Sequence, residues 1–250
     1  MIDTHCHLDA CDPSDDELVE RARAVGLTRI ATVGMNAASI ARALEASRAH
    51  AEVFAIVGRH PHETAGFGPA DLEEIESAAA DPKARAIGET GLDYYRDHAP
   101  RADQRRAFEA QLDLAGRLEM PVAIHTRAAE EDTFALLREH ADRLPAVILH
   151  CFSAPDHLDE CVELGYMCSF AGNVTYPKAA GLHAAAREVP GELLLVETDA
   201  PYLSPQPVRG KRNEPANVVA TAEHVAALRG ESYAELERTV EANAARVFGW

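Results

Sequence analysis

Histidines and carboxylates stand at the ends of several short apolar runs in this 250-residue chain. The first run carries His5 and His7, which are separated by one residue. Side chains alternate between faces along a strand, so both imidazoles should point to one side and Cys6 to the other. Two imidazoles on one face form half of a metal site, since histidine is the commonest metal ligand. Taken alone, the pair is explained as well by one core histidine and one surface histidine.

Residues of the same kinds follow the later apolar runs. They are His60 and His62 after the third run, Glu89 after the fourth, His125 after the fifth, His150 after the sixth and Asp199 after the eighth. A single polar residue at a strand end can be a buried group with a local partner. Six imidazoles and two carboxylates packed together would leave unpaired charge and unsatisfied lone pairs unless a cation bound them. The sequence therefore predicts a divalent metal site.

The number of these residues indicates two metal ions. One catalytic metal usually has about three protein ligands and a water molecule. Six ligands suffice for two ions about 3.5–4 Å apart that share one carboxylate, an arrangement suited to phosphoester hydrolysis. The expected ligands are His5, His7, Glu89, His125, His150 and Asp199. Glu89 is the expected bridge, because it has two oxygens and lies on a middle strand. No lysine stands at a strand end to form a carbamylated bridge instead. Histidine and carboxylate ligands suit Zn, Mn, Co or Ni, and Mg less well.

The elements that must position these residues alternate regularly along the chain. Eight apolar runs read as strands, the last seven being residues 29–34, 53–58, 85–89, 122–125, 146–150, 166–172 and 193–199. Continuous apolar runs are typical of a parallel sheet covered on both faces. Eight strand–helix units predict an α/β fold: one (β/α)8 TIM barrel over residues 1–250, with an additional C-terminal helix. An open doubly wound sheet is the rival, but no Gly-rich phosphate loop follows the first strand.

Local helix signals give further expectations. Ser14 and Ser232 each begin a capping-box pattern, with an acidic residue three positions later. Asn36 and Ser153 are placed to cap the helices that follow them.

The composition favours a cytoplasmic protein with an acidic surface. Acidic residues number 41 against 24 lysines and arginines, giving a net charge of −17. Such a surface repels polyanions at low salt. A halophilic source is one hypothesis, and an arginine-rich, high-GC genome is the other. Five cysteines without a Cys-x-x-Cys pattern indicate reduced thiols. Neither a signal peptide nor a membrane-spanning run is expected.

Eight segments together resemble the TatD family of metal-dependent hydrolases, among the amidohydrolase-like barrels. They are residues 3–9 (DTHCHLD), 58–62 (GRHPH), 86–97 (AIGETGLDYYRD), 121–127 (PVAIHTR), 150–153 (HCFS), 197–205 (ETDAPYLSP), 209–215 (RGKRNEP) and 243–249 (NAARVFG). The resemblance implies a two-metal deoxyribonuclease activity on single-stranded ends, often from 3′ to 5′, and it implies that the six residues above are the ligands. Ala128 stands where the family often has an acidic residue, and Arg59 where a small apolar residue is expected.

Other residues are weaker candidates for binding substrate. His62 lies in a loop at the expected mouth and could contact a phosphate oxygen, although a loop histidine can also cap a helix. Residues 200–217 form a proline-rich loop after the strand that carries Asp199, and its cations are Arg209, Lys211 and Arg212. Guanidinium groups suit phosphate recognition, so we expect Arg209 in particular to bind phosphate. Tyr94 and Tyr95 could stack a base or pack their loop.

These expectations lead to a metal-dependent phosphodiesterase whose substrate is a single-stranded nucleic acid end, with no obligate protein partner. Glu89 and Asp199 are the expected catalytic carboxylates, Asp199 orienting the attacking water and accepting its proton. One alternative is an amidohydrolase that cleaves a C–N or ester bond of a small molecule or aminoacyl ester. A second is a non-catalytic binding protein that kept the barrel, which the full ligand set disfavours.

Overall fold

Eight parallel strands form the centre of the protein in a computed structural model that describes residues 1–250. They are paired in chain order, each with the next. The strands are β1 Ile2–Cys6, β2 Arg29–Gly34, β3 Val53–Val57, β4 Ala84–Asp93, β5 Val122–Arg127, β6 Val147–Leu149, β7 Met167–Phe170 and β8 Leu194–Val196. Their residues are almost all buried, as a sheet covered on both faces requires.

Nine helices lie between and after the strands. They are α1 Asp15–Ala24, α2 Ala37–Ala49, α3 Pro69–Ala79, α4 Arg101–Leu118, α5 Glu130–His140, α6 Leu158–Leu164, α7 Ala180–Glu188, α8 Val218–Arg229 and α9 Tyr233–Phe248. None of them combines the length and the apolar character that crossing a bilayer would require.

Backbone hydrogen bonds join the first strand to the segment just after the last one. Asp199 N donates to His5 O at 2.9 Å, and His7 N donates to Ala200 O at 2.7 Å. Helix α9 packs against both β1 and β8. The predicted (β/α)8 barrel with an additional C-terminal helix is therefore confirmed.

Two of the four predicted helix caps are confirmed. Asn36 accepts a hydrogen bond from Ser39 N, and Ser232 forms the predicted capping box with Glu235. The Ser14 prediction is wrong, because its side chain makes no capping bond; three acidic residues in the first turn of α1 favour that helix end instead. The Ser153 prediction is also wrong. Pro155 starts a short 3-10 turn, which delays α6 until Leu158.

Two strand ends differ from the prediction in a way that matters for the site. Strand β4 continues past Glu89 to Asp93, and β8 ends at Val196, three residues before Asp199. Beyond β8 the chain is held by Asp3, whose carboxylate accepts hydrogen bonds from Thr198 N at 2.9 Å and Thr198 Oγ1 at 2.5 Å. This side-chain anchor adds to the backbone bonds that Asp199 and Ala200 make with the end of β1.

Candidate metal centre

The carboxyl ends of the strands bring the predicted residues into three overlapping groups. In each group one potential ligand atom per residue lies within 4.8 Å of the others. The groups are His5–Glu89–His150, His5–His7–Asp199 and His60–Glu89–His125. All six predicted ligands therefore converge, and His60, which the prediction left out of the ligand set, joins them.

Glu89 lies at the centre of this arrangement. Its Oε1 is 2.7 Å from His125 Nδ1 and 3.4 Å from His150 Nε2. Its Oε2 is 3.3 Å from His5 Nε2 and 3.8 Å from His7 Nε2. Burial would raise the pKa of this carboxyl, but the surrounding imidazoles, led by His150 and His60, outweigh it and hold the pKa well below its usual value. A buried, ionised carboxylate with both oxygens facing imidazoles can serve two cations at once.

Asp199 and His7 complete the side of the mouth nearest β1. Asp199 Oδ1 lies 3.4 Å from His7 Nε2. Burial favours the neutral acid, but His7 and His150 outweigh that cost and lower the pKa of Asp199, so the group is a carboxylate. A carboxylate here can hold a cation or receive a proton.

The histidines fit a metal because some of their buried ring nitrogens make no hydrogen bond. His5 Nε2 and His7 Nδ1 are buried and make no hydrogen bond. Unpaired polar atoms are costly in a protein interior. Burial also lowers the pKa of His60 to about 4, so its ring is neutral at physiological pH, which is the form that binds metal. The donor set of imidazoles and carboxylates suits a divalent transition metal.

Two carboxylates that the sequence prediction missed contact two of the candidate ligand histidines, His125 and His150. Asp93 Oδ2 lies 3.2 Å from His125 Nε2 and 2.8 Å from His62 Nε2. Glu197 Oε1 lies 2.8 Å from His150 Nδ1 and accepts a hydrogen bond from Cys151 N at 2.7 Å. Such partners orient metal-binding imidazoles and raise their basicity. Burial alone would lower the pKa of His150, but Glu197 and Glu89 raise it to about 10.

Helix α4 positions two of the strand ends through buried glutamines. Gln111 Oε1 accepts a hydrogen bond from Arg59 N at 2.7 Å, and its Nε2 donates to Thr90 Oγ1 at 2.7 Å. One side chain thus holds the residue before His60 and the residue after Glu89. Gln104 bonds both backbone groups of Asp93 in the same way.

The remaining predicted residues lie in different places. His62 lines the mouth, with Asp93 as its partner. Arg209 is exposed and does not line it; its guanidinium stacks 3.7 Å from the centre of the Tyr176 ring. Arg212 pairs with Asp12 at 2.8 Å. Arg59 is buried and pairs with Asp71 at 3.0 Å, which explains why an arginine is accepted there.

The mouth is a cavity of about 600 Å³, within the range of pockets that hold small ligands. Its lining includes two arginines that the prediction did not single out, Arg96 and Arg127. Tyr95 and Tyr202 are largely exposed, at 65% and 53%. Tyr94 instead packs its loop, since its hydroxyl donates to Asp132 Oδ2 at 2.7 Å.

Comparison with known proteins identifies related chains. The family model described as "TatD related DNase" matches residues 2–249. An uncharacterised metal-dependent hydrolase of Bacillus subtilis, YabD, is 37% identical over 99% of this chain and 98% of its own length. The 3′–5′ ssDNA/RNA exonuclease TatD of Klebsiella pneumoniae is 36% identical over 94% of this chain and 91% of its own. The crystal structure of YjjV, a TatD homologue from Escherichia coli, superposes with a TM-score of 0.93 at 30% identity, covering 100% and 98% of the two chains.

Proposed function

The chain belongs to the family of TatD-related DNases, and from that premise we propose that it is a 3′–5′ exonuclease acting on single-stranded DNA. Membership of this family of metal-dependent hydrolases leaves the bond and the substrate to be assigned. The name of the Klebsiella relative supports a nucleic acid substrate. Since His5 comes from β1 and Asp199 from beyond β8, we also infer that residues 1–250 act as one catalytic unit.

One observation carries the proposal: Glu89 belongs to two groups of potential ligands, one with His5 and His150 and the other with His60 and His125. We propose that two divalent ions would be held by Glu89 together with His5, His7, Asp199, His60, His125 and His150. When bound, such ions lower the pKa of water and stabilise negative charge on phosphoryl oxygens. This chemistry suits a phosphodiester, whose hydrolysis builds up charge on those oxygens.

The protein's own groups then have distinct tasks. Asp199 is buried and ionised, and its carboxylate would orient the attacking water and accept its proton. Asp93 and Glu197 would hold His125 and His150 in place. His62 lines the mouth next to these groups and would donate a hydrogen bond to a phosphate oxygen.

Hydrolysis of end-labelled single-stranded DNA tests this proposal. Wild type, Glu89→Ala and the control Glu139→Ala, an exposed residue of α5, would be stripped with EDTA and supplied with Mg, Mn or Zn. We expect stepwise shortening of 5′-labelled DNA that requires metal, is lost in Glu89→Ala and is kept in Glu139→Ala. Cleavage unaffected by Glu89→Ala would contradict the assignment of the site.

A different result would redirect the substrate class. If no oligonucleotide is cut in any metal while two equivalents of metal remain bound, the same carboxylates and imidazoles serve an amide or ester substrate. Arg209→Ala tests the predicted contact from the proline-rich loop, because an unchanged KM for the oligonucleotide would remove Arg209 from substrate binding.

A further inference from the structure

Two permanent cations line a mouth that is otherwise rich in acids. Arg96 and Arg127 share the cavity with Glu63, Glu89, Asp93 and Asp199. Neither arginine forms an ion pair, although the nearby Arg101 pairs with Asp97 at 3.0 Å. The chain has a net charge of −17, and many of its other arginines form ion pairs. Two guanidinium groups without an ion pair at the entrance to the site are therefore available to bind an anionic ligand.

The two arginines lie over one aromatic ring. The guanidinium carbon of Arg127 lies 4.0 Å from the centre of the Tyr95 ring, and that of Arg96 lies 5.9 Å from it. We call Tyr95, Arg96 and Arg127 the Arg–Tyr–Arg cluster. Stacking on an aromatic face limits the motion of an arginine and leaves its N–H groups free for a ligand.

The cluster is anchored to the metal centre. Asp93 Oδ1 accepts hydrogen bonds from Tyr95 N at 2.9 Å and from Arg96 N at 2.8 Å. The other oxygen of the same carboxylate faces His125 and His62. Asp93 therefore fixes the turn that carries the cluster relative to the ligand histidines.

The position of Arg127 sets the spacing between the cluster and the site. Arg127 is the last residue of β5, two residues after His125, so both side chains leave the strand on the same face. Two residues of a strand span about 6.6 Å between their backbone positions. Arg127 lines the same cavity as His125, so a strand with one phosphate at the candidate ligands can present the next one to Arg127.

We propose that the Arg–Tyr–Arg cluster binds the phosphate on the 5′ side of the scissile one. This inference rests on the proposed exonuclease function. It makes the preferred substrate a chain of at least three nucleotides, because a dinucleoside monophosphate has no second phosphate to offer. The enzyme should therefore slow sharply at its last dinucleotide.

Substrate length provides the test. Wild type, Arg127→Ala, Arg96→Ala and Arg127→Lys would be compared on the trinucleotide dTpdTpdT and the dinucleoside monophosphate dTpdT. Arg238→Ala, an exposed arginine of α9 without an ion pair, is the matched control. We expect Arg127→Ala to lower kcat/KM on the trinucleotide about tenfold to a hundredfold, the value of a hydrogen bond to a charged group. The loss should be in KM, with dTpdT unaffected and with partial recovery in Arg127→Lys. Equal losses on both substrates, or none on either, would overturn the proposal.

Binding without turnover separates this inference from the proposed function. Fluorescence anisotropy of labelled dT oligonucleotides on the Glu89→Ala variant reports affinity as salt is varied. Loss of one phosphate contact should reduce the slope of log K against log salt by about 0.7. If wild type cuts no oligonucleotide but Arg127→Ala still lowers this slope, the proposed function fails and the phosphate-binding cluster stands. An unchanged slope with active wild type would remove the cluster and leave the exonuclease.

Discussion

Replacing Gln111 by methionine should destabilise the protein and loosen the metal centre together. The side chain of Gln111 is completely buried in α4. Its amide accepts from Arg59 N at 2.7 Å and donates to Arg59 O at 3.1 Å, to Thr90 Oγ1 at 2.7 Å and to Ala107 O at 3.1 Å. Methionine has nearly the same shape but can make none of these bonds, so the substitution removes the amide and leaves little cavity.

The magnitude follows from the groups that lose their partner. The backbone N–H and C=O of Arg59 would both be left buried without a hydrogen bond, and each such group costs about 1–3 kcal/mol. The range is therefore about 2–6 kcal/mol. Burial of the more apolar thioether offsets part of this, so we expect a loss of about 2–4 kcal/mol in the free energy of unfolding.

Urea unfolding of the metal-free protein, followed by circular dichroism, measures this loss. The midpoint should fall while the slope of free energy against urea stays constant. Because Arg59 precedes His60 and Thr90 follows Glu89, metal titration of the folded variant should also show weaker binding. Gln206→Met is the matched control, since Gln206 is exposed and its side chain makes no hydrogen bond; it should change stability by less than about 0.5 kcal/mol. If Gln111→Met lay within the same 0.5 kcal/mol of wild type, the amide would not be holding the two strand ends.

Three further predictions concern Glu197, the close approach of β4 to β5 at Gly91, and the surface charge. Glu197→Gln removes the charge facing His150 and should weaken metal binding about 10–100-fold by titration; unchanged affinity would show that Glu197 is not needed to orient this ligand. Gly91→Ala places a Cβ 1.9 Å from His125 O and should prevent folding or lower the free energy of unfolding in urea by more than about 4 kcal/mol. Gly191→Ala is the control and should be tolerated, because the nearest atom to its added Cβ is 3.7 Å away. Equal stability of the two variants would refute the clash at Gly91. If the source is halophilic, stability should rise steeply with KCl, and full activity without added salt would exclude that origin.

Most of the candidate ligand set could be predicted from sequence because barrel topology brings these residues together. The apolar runs mark the strands, and in a barrel the residue at each carboxyl end faces the same mouth. His5 on β1 and Asp199 beyond β8 are almost 200 positions apart, yet the structure joins them through a backbone bond. His60 was recognised at a strand end but left out of the ligands. Its Nε2 lies 3.5 Å from Glu89 Oε1, a distance that no spacing rule gives.

The supporting carboxylates could not be predicted in the same way. Asp93 was not a candidate because β4 was expected to end at Glu89. The strand continues to Asp93 because it pairs with β5 as far as Arg127. Glu197 was read as part of an apolar strand. A usable signal did exist, since a metal-binding histidine needs a partner for its second ring nitrogen. Asp93 and Glu197 are acidic residues only a few positions from the predicted ligands Glu89 and Asp199.

The arginines near the mouth illustrate why local charge matters more than total charge here. The loop cations Arg209 and Arg212 stood out in sequence because they are clustered, yet one lies on Tyr176 and the other pairs with Asp12. Arg96 and Arg127 are 31 positions apart and meet only through the β4–β5 pairing. At physiological salt, exposed charges are screened beyond about 8 Å, so the distant acids that give the chain its −17 scarcely act at the mouth. Arg96 and Arg127 instead line the same cavity as the candidate ligands. An acidic protein can therefore bind the end of a polyanion, provided that a few of its cations are fixed beside the candidate metal centre.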